Sequence, residues 1–218
     1  MITVPEVVER IVTHAPFLEE GLRRGVLNLS AVAREIRLEV EARVARQVSE
    51  PAIVMGLRRL AVGLRRRPRP LGNVLRNIGD LTLRSDLVEF TFQNSPTILD
   101  HKRQLLAAMA RRRDTFVAIT QGISEVTLIV SRSAAGDVDR LFAGEREVAR
   151  LEQLSSITVR LPAKAVGTPG VHYSILKQLA WHDINVVEVV STYTELSIVL
   201  ANADVDRAFV VLKGFLWG

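Results

Sequence analysis

Two short turns hold the residues best suited to a small ligand. Asn94-Ser95-Pro96-Thr97-Ile98 and Gly167-Thr168-Pro169-Gly170-Val171 each close a strand-like run and open a helical stripe. The leading N–H groups of a helix have no partner within it, and its dipole favours negative charge, so both turns suit a carboxylate. The same residues serve equally as punctuation between strand and helix, because Pro and Gly break the first and Pro can start the second. A third turn, Gln121-Gly122-Ile123-Ser124, follows the alternating run that ends in Thr120.

The rest of the side-chain chemistry is sparse. There is no Cys, so no disulfide frame, thiolate nucleophile or cysteine-based zinc site. Four histidines stand at 14, 101, 172 and 182. His172 and His182 share one helical stripe at a separation of roughly 15 Å, too far to bind one metal. Gly21-Leu22-Arg23-Arg24-Gly25 is too short for a phosphate loop and lies between helical stripes. No Ser-His-Asp set or carboxylate pair stands out, and the reading assigns no catalytic residue, metal or cofactor.

Charge is uneven along the 218 residues. Residues 1–70 hold 13 Arg and 8 Glu, a net of +5, while the remainder is balanced. The run Arg65-Arg66-Arg67-Pro68-Arg69-Pro70 concentrates four arginines in five positions. Such a footprint fits a polyanion, whereas interleaved Glu fits a solvated helical surface. No apolar run approaches the ~20 residues of a membrane span, and the first residues lack a basic segment followed by an apolar one, so the expected location is the cytoplasm.

Helical stripes fill residues 4–67. They are carried by Val4, Val7, Val8, Ile11 and Val12, by Phe17, Leu18 and Leu22, by Val32, Ala33, Ile36, Val40 and Val44, and by Ile53, Val54, Leu57, Leu60, Ala61 and Leu64. Pro16, Asn28, Ser49 and Pro51 mark starts, and Gly25 marks an end. The last two helices resemble a helix-turn-helix module, with Arg58 and Arg59 on the second and Arg65, Arg66 and Arg67 beyond them as nucleic-acid candidates. Pro68 and Pro70 suggest a linker over 68–79.

Beyond the linker the period changes to two. Asp80 through Arg84 alternates, then Leu87 through Gln93; a helical stripe with Ile98, Leu105 and Met109 follows, then strands at 116–120 and 125–130, a short helix at 135–142 and a strand at 146–153. The order then repeats. Ile157-Thr158-Val159-Arg160-Leu161 alternates, Val171, Ile175, Leu176 and Leu179 make a helix, residues 184–190 and 195–200 make a hairpin, and Val205 through Phe215 makes a last helix.

Thr168-Pro169-Gly170-Val171, Leu176 through Leu179, Asp183-Ile184-Asn185-Val186, Ser191-Thr192 and Glu195-Leu196-Ser197-Ile198-Val199 together resemble the ACT domain that ends aspartokinases. The resemblance implies an α+β chain in which an all-helical domain (1–67) precedes two ferredoxin-like βαββαβ units. The first (86–153) would be inserted into the second (80–85 with 154–218), so that Leu81-Thr82-Leu83 completes the C-terminal sheet and removes an open edge. It also implies a non-catalytic module that binds an amino-acid effector and pairs as a homodimer through its sheets. The effector residues would be Asn94, Ser95, Pro96, Thr97, Ile98, Thr120 and Gln121 in the first unit, and Thr168, Pro169, Gly170 and Val171 in the second. Where the family places an Asp facing the amine, this chain has Asn94 and Gly167. The catalytic kinase domain has no counterpart in 70 helical residues. Two readings of the helical domain stay open: a DNA-binding regulator with the ACT pair as sensor, and a regulatory or interaction subunit whose helices dock on another protein.

Overall fold

The computed structural model describes residues 2–66, 70–110, 112 and 115–217. The chain divides into two compact units, Met1–Arg69 and Pro70–Gly218.

The first unit is four helices, α1 (Val4–Thr13), α2 (Pro16–Arg24), α3 (Leu29–Val44) and α4 (Glu50–Arg66). Each begins or ends where its sequence says it should. Thr3 and Glu6 form a reciprocal capping box on α1, Asn28 Oδ1 accepts the Ser30 and Ala31 N–H groups of α3, and Gly25 (φ 73°) ends α2 in the left-handed conformation open to glycine. Helix α4 packs against the other three and buries Ile53, Leu57, Ala61 and Leu64 among Val8, Val12, Leu22, Ala33 and Val40. The Glu41 carboxylate accepts the Val48 N–H (3.0 Å) and so fastens the α3–α4 loop.

The second unit opens with α5 (Pro70–Arg76), where the sequence suggests linker. Pro70 is tolerated because the first residue of a helix needs no N–H partner. Leu71, Val74, Leu75 and Ile78 then fall on one face and pack into the core around Ile157, Ile175, Leu196 and Leu212. Residues 68 and 69 of the expected linker lie outside the described residues.

Six strands make one sheet in the order β2-β3-β1-β4-β6-β5. Strand β1 (Leu81–Gln93) leads to α6 (Ile98–Met109), then β2 (Val117–Gln121), β3 (Glu125–Ser131), α7 (Ala135–Leu141) and β4 (Glu147–Arg160). Helix α8 (Val171–Ala180), β5 (Glu188–Ser191), β6 (Glu195–Ala201) and α9 (Val205–Trp217) follow. The runs 80–84 and 87–93, expected as separate strands, are one strand; so are 146–153 and 157–161. Strand β5 starts at Glu188, later than the apolar run from Ile184 suggests.

Strands β1 and β4 run the length of the sheet and serve both of its halves. Leu81, Thr82 and Leu83 pair with Val159, Thr158 and Ile157, whose strand also pairs with β6, while Leu87 to Gln93 pair with β3. The C-terminal half therefore takes its outer strand from the start of β1, the pairing expected for Leu81-Thr82-Leu83.

Each long strand carries one irregular residue at the crossing, Asp86 (φ 59°) and Gln153 (φ 55°). One extra residue shifts side-chain alternation by one. Before Asp86 the odd-numbered Leu81 pairs with Val159, and Leu83 with Ile157, on the face that meets α8 and α9; after it the even-numbered Val88, Phe90 and Phe92 meet α6 and α7. The two bulges thus put both helix layers on one side of the sheet.

The other side is also buried, through a cluster that contains no helix residue. Leu87, Ile129, Leu154 and Val199 are at most 3% exposed and cluster with Phe116, Ala118, Val187 and Val190 from the two sheet edges. The sheet therefore buries this face with side chains of its own strands and of the residues that lead into its edges. The charge of Glu188 on β5 bears on Glu89 of β1, strands that a flat sheet would hold roughly 14 Å apart, which fits a curled sheet.

Candidate functional site

In the first half the sequence-selected residues converge. Asn94 follows β1 and is held at its backbone by Ser124 O (2.8 Å). Its side-chain amide donates to Gly122 O (2.9 Å) and Ile123 O (2.8 Å), so it staples the β2–β3 turn to the start of the helix connection. Gln121 Nε2 donates to Asn94 Oδ1 (3.2 Å), and Lys102 Nζ, one turn into α6, donates to Gln121 Oε1. Lys102 was not among the residues picked from sequence. Its signal was its place near the start of the helix that Ile98 opens, where a cation meets any ligand carboxylate.

Ser95 and Thr97 serve the helix start. Ser95 Oγ accepts the Ile98 N–H (3.1 Å) and lies 3.0 Å from Thr97 Oγ1, which donates to Glu145 Oε1 (2.6 Å). His101 Nδ1 lies 2.9 Å from the same carboxylate oxygen. Burial works against the charge of Glu145, but hydrogen bonds from Thr97, Ser95 and His101 outweigh it and hold its carboxyl below the ordinary range. Pro96 and Thr120 are exposed beside this network, while Ile98 is buried in the core.

What the first-half cluster offers a ligand is the Lys102 cation and the second N–H of the Gln121 amide, since both Asn94 amide hydrogens are spent on Gly122 and Ile123. The acceptor oxygens of Asn94 and Gln121 already receive hydrogen bonds from Gln121 and Lys102. The arrangement is built for a carboxylate more than for an ammonium group.

The second half differs at the same place. Leu161 N–H donates to Thr194 O (2.7 Å), as Asn94 N–H does to Ser124 O, so the strand ladder matches Asn94 with Leu161. Gly167 matches it only when counted back from the helix. Four residues (94–97) join β1 to α6, but ten (161–170) join β4 to α8 and include a 3-10 turn at Ala163–Ala165. Thr168 Oγ1 donates to Lys164 O (2.8 Å), Gly170 (φ 89°) turns the chain into α8, and Val171 is in the core. A Cβ at Gly170 would touch Leu71 of α5 at 3.5 Å, so α5 lies directly against this turn.

The arginines selected for nucleic acid separate into two kinds. Arg58 and Arg59 are exposed on α4. Arg65 Nε donates to Arg23 O (3.2 Å) and Arg23 to Leu64 O (2.5 Å), so these two arginines tie the C-terminal ends of α2 and α4 to one another. The side chain of Arg66 and all of Arg67 lie outside the described residues. Elsewhere on this unit Arg23–Glu19, Arg34–Glu50, Arg37–Glu41 and Arg43–Glu39 are ion pairs, so basic and acidic groups are interleaved on its surface.

No helix among the described residues is long and apolar enough to cross a membrane. Nor do they contain a group of three or more metal-ligating side chains.

The strand order, the paired helix layers and the strand shared between halves define an ACT-type fold of the kind found in the regulatory regions of aspartate kinases. No family model matches the chain, and no curated protein matches it by sequence. Among solved structures it is similar to the ligand-free regulatory subunit of aspartate kinase from Thermus thermophilus, with a TM-score of 0.52 at 15% identity over 65% of this chain and 99% of that one. The Clostridium acetobutylicum aspartate kinase gives 0.53 at 10% identity over 69% of this chain but only 37% of that one. Escherichia coli aspartokinase III, in complex with aspartate and ADP, gives 0.50 at 16% identity over 65% and 35%. The likeness spans a whole regulatory subunit and about a third of each complete kinase.

Proposed function

We propose that this chain is a non-catalytic, amino-acid-responsive regulatory protein of the cytoplasm. On this reading residues 86–153 form one ACT-type unit inserted into a second, formed by 80–85 with 154–218, and two copies pair through their sheets. The observation that carries the reading is the extent of the fold likeness, which covers 99% of a separate regulatory subunit. The effector's carboxylate would meet Lys102 and Gln121 beside the Asn94 turn, with Pro96 and Thr120 at its margin. The test is a thermal-shift screen of the common amino acids. A ligand at 100 times its Kd adds about 2.7 kcal/mol of stability, and the gain should vanish in Lys102→Met. A screen in which no amino acid raises the melting temperature would defeat the reading.

For the helical unit (1–67) we favour docking on a protein partner, because four Arg–Glu pairs interleave its charges. DNA binding is the second reading, and the exposed Arg58 and Arg59 favour it. If phosphates are contacted there, affinity falls steeply with salt and Arg58→Ala with Arg59→Ala weakens it across all sequences. A titration of fragmented DNA at two salt concentrations separates the two readings.

A further inference from the structure

The turn at 168–171, one of the two expected ligand sites, is faced by the protein's own Leu71. Beside it lies an open cleft of about 630 Å³ with chemistry of its own. One wall is α5, through Asn73, Val74 and Asn77; the other is the long β4–α8 connection, through Pro162, Lys164 and Thr168. This size is in the usual range for small-molecule sites, which combine apolar walls with a few polar groups.

The polar groups point to one ligand class. Among the described residues Lys164 is the only charged side chain in the lining, and no ion pair engages it. Asn73 Oδ1 accepts from Arg76 (2.7 Å), and the Asn73 carbonyl accepts from Asn77 Nδ2 (2.6 Å). These bonds leave the Asn73 amide as a donor and Asn77 Oδ1 as an acceptor. Val74 and Pro162 supply apolar surface. No carboxylate lines the cleft among the described residues, so an ammonium group would find there one amide oxygen and no opposite charge.

We propose that this cleft is a second ligand site that takes a small organic acid with an apolar body and no amine, such as a branched-chain 2-oxo acid. Lys164 binds the carboxylate, the Asn73 amide donates to it, and the body packs on Val74 and Pro162. The site does not depend on the amino-acid reading of the Asn94 cluster. Its position gives it a consequence: one wall is the helix that opens the second unit, so an occupant fastens α5 to the β4–α8 connection. A segment held by few contacts gains most in protection when a ligand bridges it.

The test is hydrogen exchange on the full chain with 4-methyl-2-oxopentanoate as probe, and with L-leucine and leucinol as its amine-bearing and carboxylate-lacking counterparts. The oxo acid should slow exchange severalfold in residues 71–78 and 162–168, L-leucine should do so less, and leucinol not at all. In Lys164→Met, with its fold checked by its exchange pattern without ligand, the effect should be lost; in Lys102→Met it should persist. No slowing at millimolar oxo acid, equal slowing by leucinol, or slowing that survives Lys164→Met would each overturn the site. Because Lys102 belongs to the other cluster, failure here and failure of the amino-acid reading are seen separately.

Discussion

The two halves of the sheet have the same element order and differ most where side chains leave the common core. Thr91 faces Thr127 across β1 and β3 with hydroxyls 3.3 Å apart, and Thr158 faces Ser197 across β4 and β6 at 2.7 Å. Sliding one pair onto the other superposes Asp86 on Gln153, Leu87 on Leu154 and Glu89 on Ser156. The first two matches preserve a function, since both bulges turn the chain and both leucines fill the curled face. The third does not, because an acid stands where the other half has a hydroxyl. The helix connections diverge likewise, four residues with an amide network in one half and ten with a covering helix in the other. The lesson is that the ladder and the bulges are shared because the curl needs both, whereas the connections and Glu89 are free to specialise.

The harshest way to break the comparison is to remove one bulge. Deleting Asp86 restores plain alternation through β1, so Leu81 turns away from the core under α8 and α9 while Thr82 and Arg84 turn toward it. The expected outcome is loss of the cooperative melting transition, and deletion of Gln153 should do the same through β4. A folded deletion variant with near-native melting would show that the crossing tolerates register change.

Next in size are the two helix-layer cores. Phe142 stacks on Phe92 with ring centroids 4.9 Å apart and is 2% exposed; Leu212, the matching residue of α9, is fully buried. Phe142→Ala should cost about 3–5 kcal/mol and Leu212→Ala about 2–5 kcal/mol, read from denaturant midpoints. Equal losses would mean that α5 gives the second half no special reinforcement. A distinctly smaller loss for Leu212→Ala would mean that Leu71, Leu75 and their neighbours collapse into the gap.

Much of this arrangement was legible in the residues. Alternation at 157–161 and the Pro169-Gly170 break located a strand, a turn and a helix without help from packing. The same reasoning misplaced 70–78, because two prolines in three positions signal an extended chain, while Leu71, Val74, Leu75 and Ile78 already carried helical spacing. The bulges were legible only as breaks in alternation, at 85–86 and after 153; that each strand continues through its break follows from the two helix layers that share a side. Asn94, Gln121 and Ser95 were legible as a group. Lys102 carried only its place near the start of α6, and Glu145 carried no signal, because its role depends on how the end of α7 meets the turn.

A moderate effect tests that meeting. Glu145 is held below the ordinary carboxylate range, so its contribution to stability is complete above the unfolded value and is lost as pH falls through the folded one. Glu145→Gln should cost about 1–3 kcal/mol at neutral pH, the scale of a lost charge-assisted hydrogen bond, and little in acid. Among the described residues no such acid is bonded to the helix start of the second half, so hydrogen exchange should loosen at 95–101 and leave 168–174 unchanged.

The smallest effect has the opposite sign and concerns Glu89. It is 8% exposed, its Oε2 has no hydrogen-bond partner among the described residues, and burial followed by the charge of Glu188 raises its carboxyl above the ordinary range. The folded state therefore binds the proton more tightly than the unfolded chain does. Its penalty is absent below the unfolded value, sets in as pH rises, and is complete above the folded value. Glu89→Gln should raise the melting temperature above neutral pH and leave it unchanged at about pH 4, where an unperturbed Glu is already largely protonated. The gain is bounded by the cost of an unsatisfied buried group, about 1–3 kcal/mol. Glu188→Gln should give part of the same gain, since it removes the repulsion but not the burial, and the double variant should add little to Glu89→Gln. A gain from Glu188→Gln that persists in the Glu89→Gln background would show that the two carboxylates do not interact.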